Sequence, residues 1–337
     1  MTEPQNPNPT MSNYAELLPE PVDPPIVVDD LTDFLLHEFP PRAFLLEGLL
    51  YERALAMVHA FRGIGKTQLV LEMALAVATG GPFLKWTAPE PNGVLFIDGE
   101  MCGSEIQERI EAAARNYEPV KPGMFLIVTP DRQTGAMPDL GTHKGRKALE
   151  EHFRPETKLI IIDNLSSLVR SVKENEGDDW QPFTTWLISL RSKGYSVLLV
   201  HHEGKGGTQR GASKKEDSLD LSLSLKRPKD YTTDQGAAFI INFEKSRQLH
   251  DDQARPVYTW LTTTESGERK WEWEHSTFEI NDQILDLKEQ GKTVTEIARM
   301  VGLHKSNISR RLEKLDRCAL RTPKDPQRAT QIKGVQQ

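Results

Sequence analysis

The chain has 337 residues, 37% of them hydrophobic and 27% charged, with two cysteines and a formal net charge of −7. That length holds one α/β domain of about 200 to 250 residues and a small second module. No apolar run of about 18 residues and no basic-then-apolar leader occurs, and Cys102 and Cys318 fall in different predicted domains, so a membrane span, a secretory signal and a disulfide or zinc framework are not expected. A cytoplasmic protein without a membrane partner follows.

Residues 1–30 hold seven prolines and few large apolar side chains, which predicts a disordered proline-rich arm. A short helix over 31–38 leads into Phe39-Pro40-Pro41-Arg42. Strand and helix patterns then alternate: strand 54–59, helix 66–79, strand 93–98, helix 103–115, strand 124–128, helix 145–153, strand 158–162, helix 179–193, strand 195–200, and strands 219–225 and 237–244. Apolar strands alternating with amphipathic helices imply a mainly parallel, twisted sheet covered on both faces. One α/β domain is assigned to 31–274.

Between the first strand and its helix lies Ala60-Phe61-Arg62-Gly63-Ile64-Gly65-Lys66-Thr67-Gln68. A strand, a glycine loop ending in Gly-Lys-Thr and a helix form a phosphate-binding loop, whose backbone N–H groups and helix N-terminus favour an anion. Arg62, Gly63, Ile64, Gly65, Lys66, Thr67 and Gln68 are the candidate nucleotide contacts. Lys66 is expected to reach the β- and γ-phosphates and Thr67 to hold Mg²⁺, so the expected ligands are ATP and Mg²⁺.

Later strands end in chemistry-bearing residues. Leu159 to Ile162 delivers Asp163, the expected carboxylate partner of the metal ion. Val94 to Ile97 delivers Asp98-Gly99-Glu100, in which Glu100 is placed to deprotonate water and Asp98 competes for that role. Val197 to Val200 delivers His201-His202. Neighbouring strand residues face opposite sides, so one histidine reading a phosphate is preferred to a paired metal site. The glycine-rich basic run at 203–213, with Lys205 and Arg210, suits a polyanion.

Residues 278–316 carry three short helical patterns without strands. Ile297, Ala298, Val301, Leu303, Ile308 and Leu312 have the spacing of a helix-turn-helix core, with Gly302 at the turn. The second helix would present Lys305, Ser306, Asn307, Ser309, Arg310 and Arg311 to duplex DNA. Residues 297–337 hold ten Lys and Arg against three Asp and Glu, a basic end on an acidic body. A small all-α domain is therefore assigned to 278–320 and a basic flexible tail to 321–337.

Taken together, Gly-Lys-Thr, Glu100, Asp163, His-His followed by Gly-Lys-Gly-Gly and Arg-Gly-Ala-Ser, and Glu244-Lys245-Ser246-Arg247 resemble the RecA-fold ATPases. Within them the chain looks most like the RepA-type hexameric replicative helicases of plasmids and mobile elements, and more distantly like DnaB-type helicases. The resemblance spans about residues 40–270 and implies a RecA-like P-loop domain. It implies Glu100 as catalytic base, His202 as the residue coupling γ-phosphate state to a DNA-binding loop at 203–213, and Lys245 and Arg247 as a pair reaching the neighbouring subunit's ATP. Arg227 is a further candidate nucleotide contact. A homo-oligomeric, hexameric ring is expected, with single-stranded DNA inside it and duplex DNA on the helix-turn-helix. Two alternatives stay open: a RadA-like recombination ATPase, and an ATP-switched DNA-binding regulator without motor activity.

Overall fold

The computed structural model describes residues 26–39, 41–172, 180–203, 217–228, 231–233, 236–249, 251–264, 268–275, 278–301, 305–306, 308–309 and 311–312. The chain divides into two compact units at Pro41. In the first, helix α1 (Leu31–Leu36) begins at Asp30, whose carboxylate accepts the Thr32 backbone N–H at 2.9 Å. It stops earlier than the predicted 31–38. His37 is extended, and the coming Pro40 disfavours helical backbone just before it.

The second unit is built on a nine-stranded sheet. Its strands are β3 (Leu55–Ala60), β6 (Gly93–Asp98), β7 (Phe125–Val128), β8 (Thr157–Asp163), β9 (Ser196–His202), β10 (Leu221–Lys226), β11 (Ala238–Ser246), β12 (Val257–Thr263) and β13 (Arg269–His275). Their order is β13-β12-β11-β10-β3-β9-β8-β6-β7. From β10 to β7 every pairing is parallel, whereas β11, β12 and β13 add antiparallel to one side. Of two small hairpins, β1 (Phe44–Leu46) with β2 (Leu50–Tyr51) precedes β3 in sequence and β4 (Pro82–Phe83) with β5 (Trp86–Thr87) falls between β3 and β6.

Strands β3, β6, β8 and β9 are buried along almost their whole length, as near-continuous apolar runs require when both faces are covered. Alternate residues of β3 divide between two cores. Ala56 and Val58 pack on the side of α2 (Lys66–Thr79) and α3 (Gly103–Ala114), with Val70, Met73 and Ile106. Leu55 and Met57 pack on the side of α4 (His143–Glu150), α5 (Leu165–Leu168) and α6 (Gln181–Ser192), with Leu149, Leu168 and Phe183. Each fully buried Leu, Ile or Phe contributes about 1.5 to 3 kcal/mol. Helix α2 is buried on nearly all sides, so from Leu69 to Ala78 its sequence is apolar except for Glu72 instead of striped. Glycines in left-handed backbone, Gly65 and Gly80, start and end it.

The predicted strands and helices of 54–246 recur with shifted ends. Strands β12 and β13 were not among the predicted elements. The parallel α/β class is the one the alternation implied, with a strand, β9, between β3 and β8.

Two further helices, α7 (Phe278–Glu289) and α8 (Val294–Val301), follow, and residues 305, 306, 308, 309, 311 and 312 are helical. Ile284, Ile297, Ala298, Ile308 and Leu312 form a separate small core, with Val301 packed against it. Helix α8 opens on a capping box: Thr293 Oγ1 accepts the Glu296 N–H at 3.3 Å, and Glu296 Oε2 accepts the Thr293 N–H at 2.8 Å. Leu303, the predicted arm over most of its length and the predicted tail at 321–337 lie outside the described residues. No helix among the described residues is long and apolar enough to cross a membrane.

Candidate nucleotide site

The loop between β3 and α2 forms one wall of an open cleft of about 760 Å³, within the usual range for small-molecule sites. Gly63 and Gly65 have φ of +76° and +119°. A Cβ at Gly65 would be strained by that backbone and would also meet Phe239 Cε1 at 3.3 Å and Ala237 Cβ at 3.5 Å. Arg62, Ile64, Thr67 and Gln68 line the same cleft. Lys66 is buried, and its Nζ donates to the carbonyls of Ala60 (3.1 Å) and Phe61 (3.0 Å). Burial draws its ammonium down to about 8, opposed by the charges of Asp163, Glu203 and Glu100.

Asp163 ends β8 beside the loop. Burial pushes its carboxyl up to about 6, while the Thr67 hydroxyl and the Lys66 charge pull the other way. Its Oδ2 is buried without a hydrogen-bond partner among the described residues. A buried carboxylate oxygen left open beside a threonine hydroxyl suits a magnesium ion carried with nucleotide phosphates, since Mg²⁺ is usually held by one or two carboxylates plus phosphate. Among the described residues no cluster of three or more His, Cys, Asp or Glu is arranged for an ion by itself.

Asp98 and Glu100 are placed differently. Asp98, at the end of β6, is buried, and its carboxylate accepts the backbone N–H of Glu100 at 3.3 Å and of Met101 at 3.1 Å. It shapes the turn. Glu100, held on that turn, is exposed to the cleft. Gly99 between them admits no side chain, because a Cβ would meet Ser167 Oγ at 2.5 Å.

Asn164 joins the strand ends. Its Nδ2 donates to Glu100 Oε2 and lies 3.1 Å from His202 Nε2, and its Oδ1 caps α5 by accepting the Ser167 N–H at 3.2 Å. The sequence reading passed over Asn164, although its place directly after the strand-end Asp163 was a signal. His202 Nε2 is 3.4 Å from Glu100 Oε2. Burial, and then the Lys66 charge, lower the His202 imidazole below its ordinary value, against the pull of Glu100. His201 is buried on the other face beside Leu165, Val169 and Trp180, as the alternation of strand side chains requires.

The remaining candidates separate. Arg227 borders the cleft, but its guanidinium donates to the carbonyls of Gly236 (2.8 Å), Ala238 (2.9 Å) and Gly63 (3.2 Å) and lies 3.7 Å over the Tyr231 ring. It braces the phosphate loop. Lys245 and Arg247 both donate to the Asp217 carbonyl, at 3.1 and 2.7 Å. Because β11 is antiparallel to β10, Lys245 pairs with Ser222, which pairs with Met57, and Arg247 lies level with the start of β3. The loop leaves β3 at its other end, about 16 Å along the strand from Arg247 and about 10 Å from Lys245. Neither residue lines its own chain's cleft. Lys305 and Ser306 are exposed, Ser309 and Arg311 half-buried, away from the cleft lining. Lys205, Arg210, Asn307 and Arg310 lie outside the described residues. Arg109, Leu261 and Arg269 line the cleft and were not anticipated; the last two belong to the unforeseen strands.

The family model described as AAA domain matches residues 21–208. Among solved structures, the chain is similar to a KaiC-like protein from the hyperthermophilic archaeon Pyrococcus horikoshii OT3, with 15% identity, 68% of this chain and 93% of that one covered, and a TM-score of 0.44. It is also similar to the flagellar accessory protein FlaH from Methanocaldococcus jannaschii, with 11% identity, 66% and 90% covered, and a TM-score of 0.45. No curated protein matches it in sequence.

Proposed function

The chain belongs to the AAA domain family, and from that premise we propose that it is a DNA-dependent ATPase. In this reading identical subunits form a ring, and the protein works as a RepA-like helicase or DNA-remodelling motor of a plasmid or mobile element. The observation that carries the reading is the contact set of Glu100, Asn164 and His202 next to buried Asp163 and Lys66. A site that only stored nucleotide would not need a carboxylate held by an amide and an imidazole at the γ-phosphate end.

The residues divide the work. Lys66 exchanges the carbonyls of Ala60 and Phe61 for phosphate oxygens, the stronger, charge-assisted partners. Thr67 and Asp163 would hold Mg²⁺, which supplies charge neutralisation between the phosphates. Glu100 takes the proton of the attacking water while Asn164 fixes its carboxylate. His202 senses the γ-phosphate through the same amide. Arg247 and Lys245 serve the neighbouring subunit's site, where an arginine stabilises charge in the transition state. Lys205 and Arg210 meet single-stranded DNA, and Lys305, Ser306, Asn307, Ser309, Arg310 and Arg311 meet duplex DNA.

ATP hydrolysis, strand displacement and particle mass, measured with and without single-stranded DNA, test the reading. Stimulation with displacement by a ring is expected. Stimulation without displacement favours a recombination-type ATPase, and negligible stimulation with tight site-specific duplex binding favours a regulator.

A further inference from the structure

The turn that carries Glu100 is fastened at both ends, and one fastening comes from elsewhere in the chain. At the first end Asp98 accepts the N–H groups of Glu100 and Met101. At the other end α3 begins with Gly103, and a helix start leaves its first N–H groups without partners inside the helix. Cys102, in the capping position, makes no side-chain bond to them, and its Sγ lies instead 3.1 Å from Ser104 Oγ. The cap is Asp131, 28 residues beyond Gly103 in the chain, whose Oδ2 accepts the Gly103 N–H at 2.7 Å.

Strand register brings Asp131 there. β6 and β7 pair in parallel with Ile97 opposite Val128, so the two strands release their following loops side by side. A short 3₁₀ turn (Pro130–Arg132) comes directly after Thr129. It is closed by the Gln133 N–H on the Pro130 carbonyl at 3.0 Å and by Gln133 Nε2 on the Thr129 carbonyl at 3.1 Å. Glycine at 103 permits the close approach, since a Cβ there would meet Asp131 Cβ at 3.2 Å and Oδ2 at 3.3 Å.

Asp131 is exposed and does not line the cleft, so its influence on the site passes through α3 and the turn. An anion on a helix N-terminus makes a charge-assisted bond of the stronger kind. The rest of α3 is tied down: Ile106 sits in the core on the α2 side, and Asn116, just past the helix, donates to the Arg269 carbonyl of β13 at 2.8 Å. Met101, Cys102, Glu105 and Arg109 of this segment line the cleft beside Glu100. Freed at Gly103, the turn loses its hold on the Glu100 carboxylate, and a misplacement of about 1 Å at a reacting group costs up to about a hundredfold in rate.

We propose that Asp131 is a positioning residue for ATP hydrolysis: it caps α3 from the loop after the neighbouring strand and so fixes the far end of the turn that aims Glu100. The proposal rests on the reading of Glu100 as the base. It is tested by ATP hydrolysis of the full chain with D131A, D131N, G103A, E100Q and E100Q/D131A, with thermal melting alongside and single-turnover measurements for the two E100Q chains. D131A is expected to lower kcat about tenfold with KM for ATP unchanged, and D131N, which keeps an acceptor oxygen, to recover most of that loss. E100Q/D131A is expected to hydrolyse no more slowly than E100Q, because the cap acts only through the missing carboxylate. G103A, which helix propensity favours, crowds Asp131 from the other side and is expected to lower kcat about threefold without lowering the melting temperature, a split that a purely structural cap does not give. It keeps the test decisive if D131A does not fold. Wild-type kcat in D131A, or in G103A where D131A does not fold, overturns the proposal, as does a tenfold further loss in E100Q/D131A. Wild-type hydrolysis by E100Q removes the base reading itself, a result distinct from an inactive E100Q beside a fully active D131A.

Discussion

His202 Nε2 lies 3.4 Å from Glu100 Oε2 although the two residues leave β9 and β6, with β8 between them. Asn164, at the exit of β8, spans the gap. A neutral Nε2 accepts from the Asn164 amide, whereas a protonated one donates to Glu100, so the histidine's proton and the base's freedom are linked. Asn164→Asp keeps the side-chain oxygen that caps α5 but loses the amide donor and sets a second carboxylate against Glu100. The turnover rate is expected to fall about ten- to a hundredfold with melting temperature nearly unchanged. Steady-state kinetics beside a thermal melt check this.

Glu100→Gln is expected to lower hydrolysis by about 10² to 10⁴ while nucleotide binding persists. Asp98→Asn retains an acceptor for the turn's N–H groups and is expected to cost less than about tenfold. Single-turnover hydrolysis with a fluorescent nucleotide titration separates the two, and the reverse ranking would transfer the base role to Asp98.

Two buried carboxyls set a pH dependence. Burial raises Glu72, on α2, to about 7 and raises Asp163 to about 6. A carboxyl raised in the fold contributes stability that is full below its unfolded value, near 4, and is lost as pH rises through the folded value. The nucleotide-free protein is therefore expected to lose stability through about pH 6 from Asp163 and about pH 7 from Glu72. Glu72→Gln should flatten the later loss and raise the melting temperature at about pH 8 by a few degrees. An unchanged profile in that variant speaks against the assignment. Below about pH 6 the proton on Asp163 also competes with Mg²⁺, so magnesium affinity is expected to drop there.

If the C-terminal helices hold duplex DNA, Lys305→Ala should weaken binding evenly across sequences and reduce the salt dependence by about one counterion per lost phosphate contact. Fluorescence anisotropy over a salt series reads both. ATP hydrolysis without DNA should not change.

The parts legible in the sequence were local. Gly63 to Thr67 lie between a strand and a helix that the hydrophobic pattern predicts, and Asp163 and Glu100 end apolar runs whose length marks them as buried strands. The small C-terminal core followed from helical spacing of Ile297, Ala298, Ile308 and Leu312. What was not legible depends on strand order. Asn164 bridges Glu100 and His202 only because β8 lies between β6 and β9. Lys245 and Arg247 fall at the far sheet edge only because β11 turns back antiparallel. Asp131 caps α3 only because β7 lies beside β6 in parallel. Strand β13 does carry a period of two, Trp271 and Trp273 on one face against Lys270, Glu272 and Glu274 on the other, a signal present in the sequence, whereas β12 mixes threonine with apolar or aromatic residues on both faces.

The central claim, that a neighbour completes each ATP site, is tested by mixing Lys66→Ala with Arg247→Ala protein and measuring ATP hydrolysis. Each variant alone should be inactive, with Arg247→Ala still binding ATP. In a head-to-tail ring of equal mixture, about a quarter of the sites pair an intact Lys66 with a neighbour's intact Arg247, so about a quarter of wild-type activity should return. Wild-type hydrolysis by Arg247→Ala alone, or a mixture as inactive as its components, would contradict the claim.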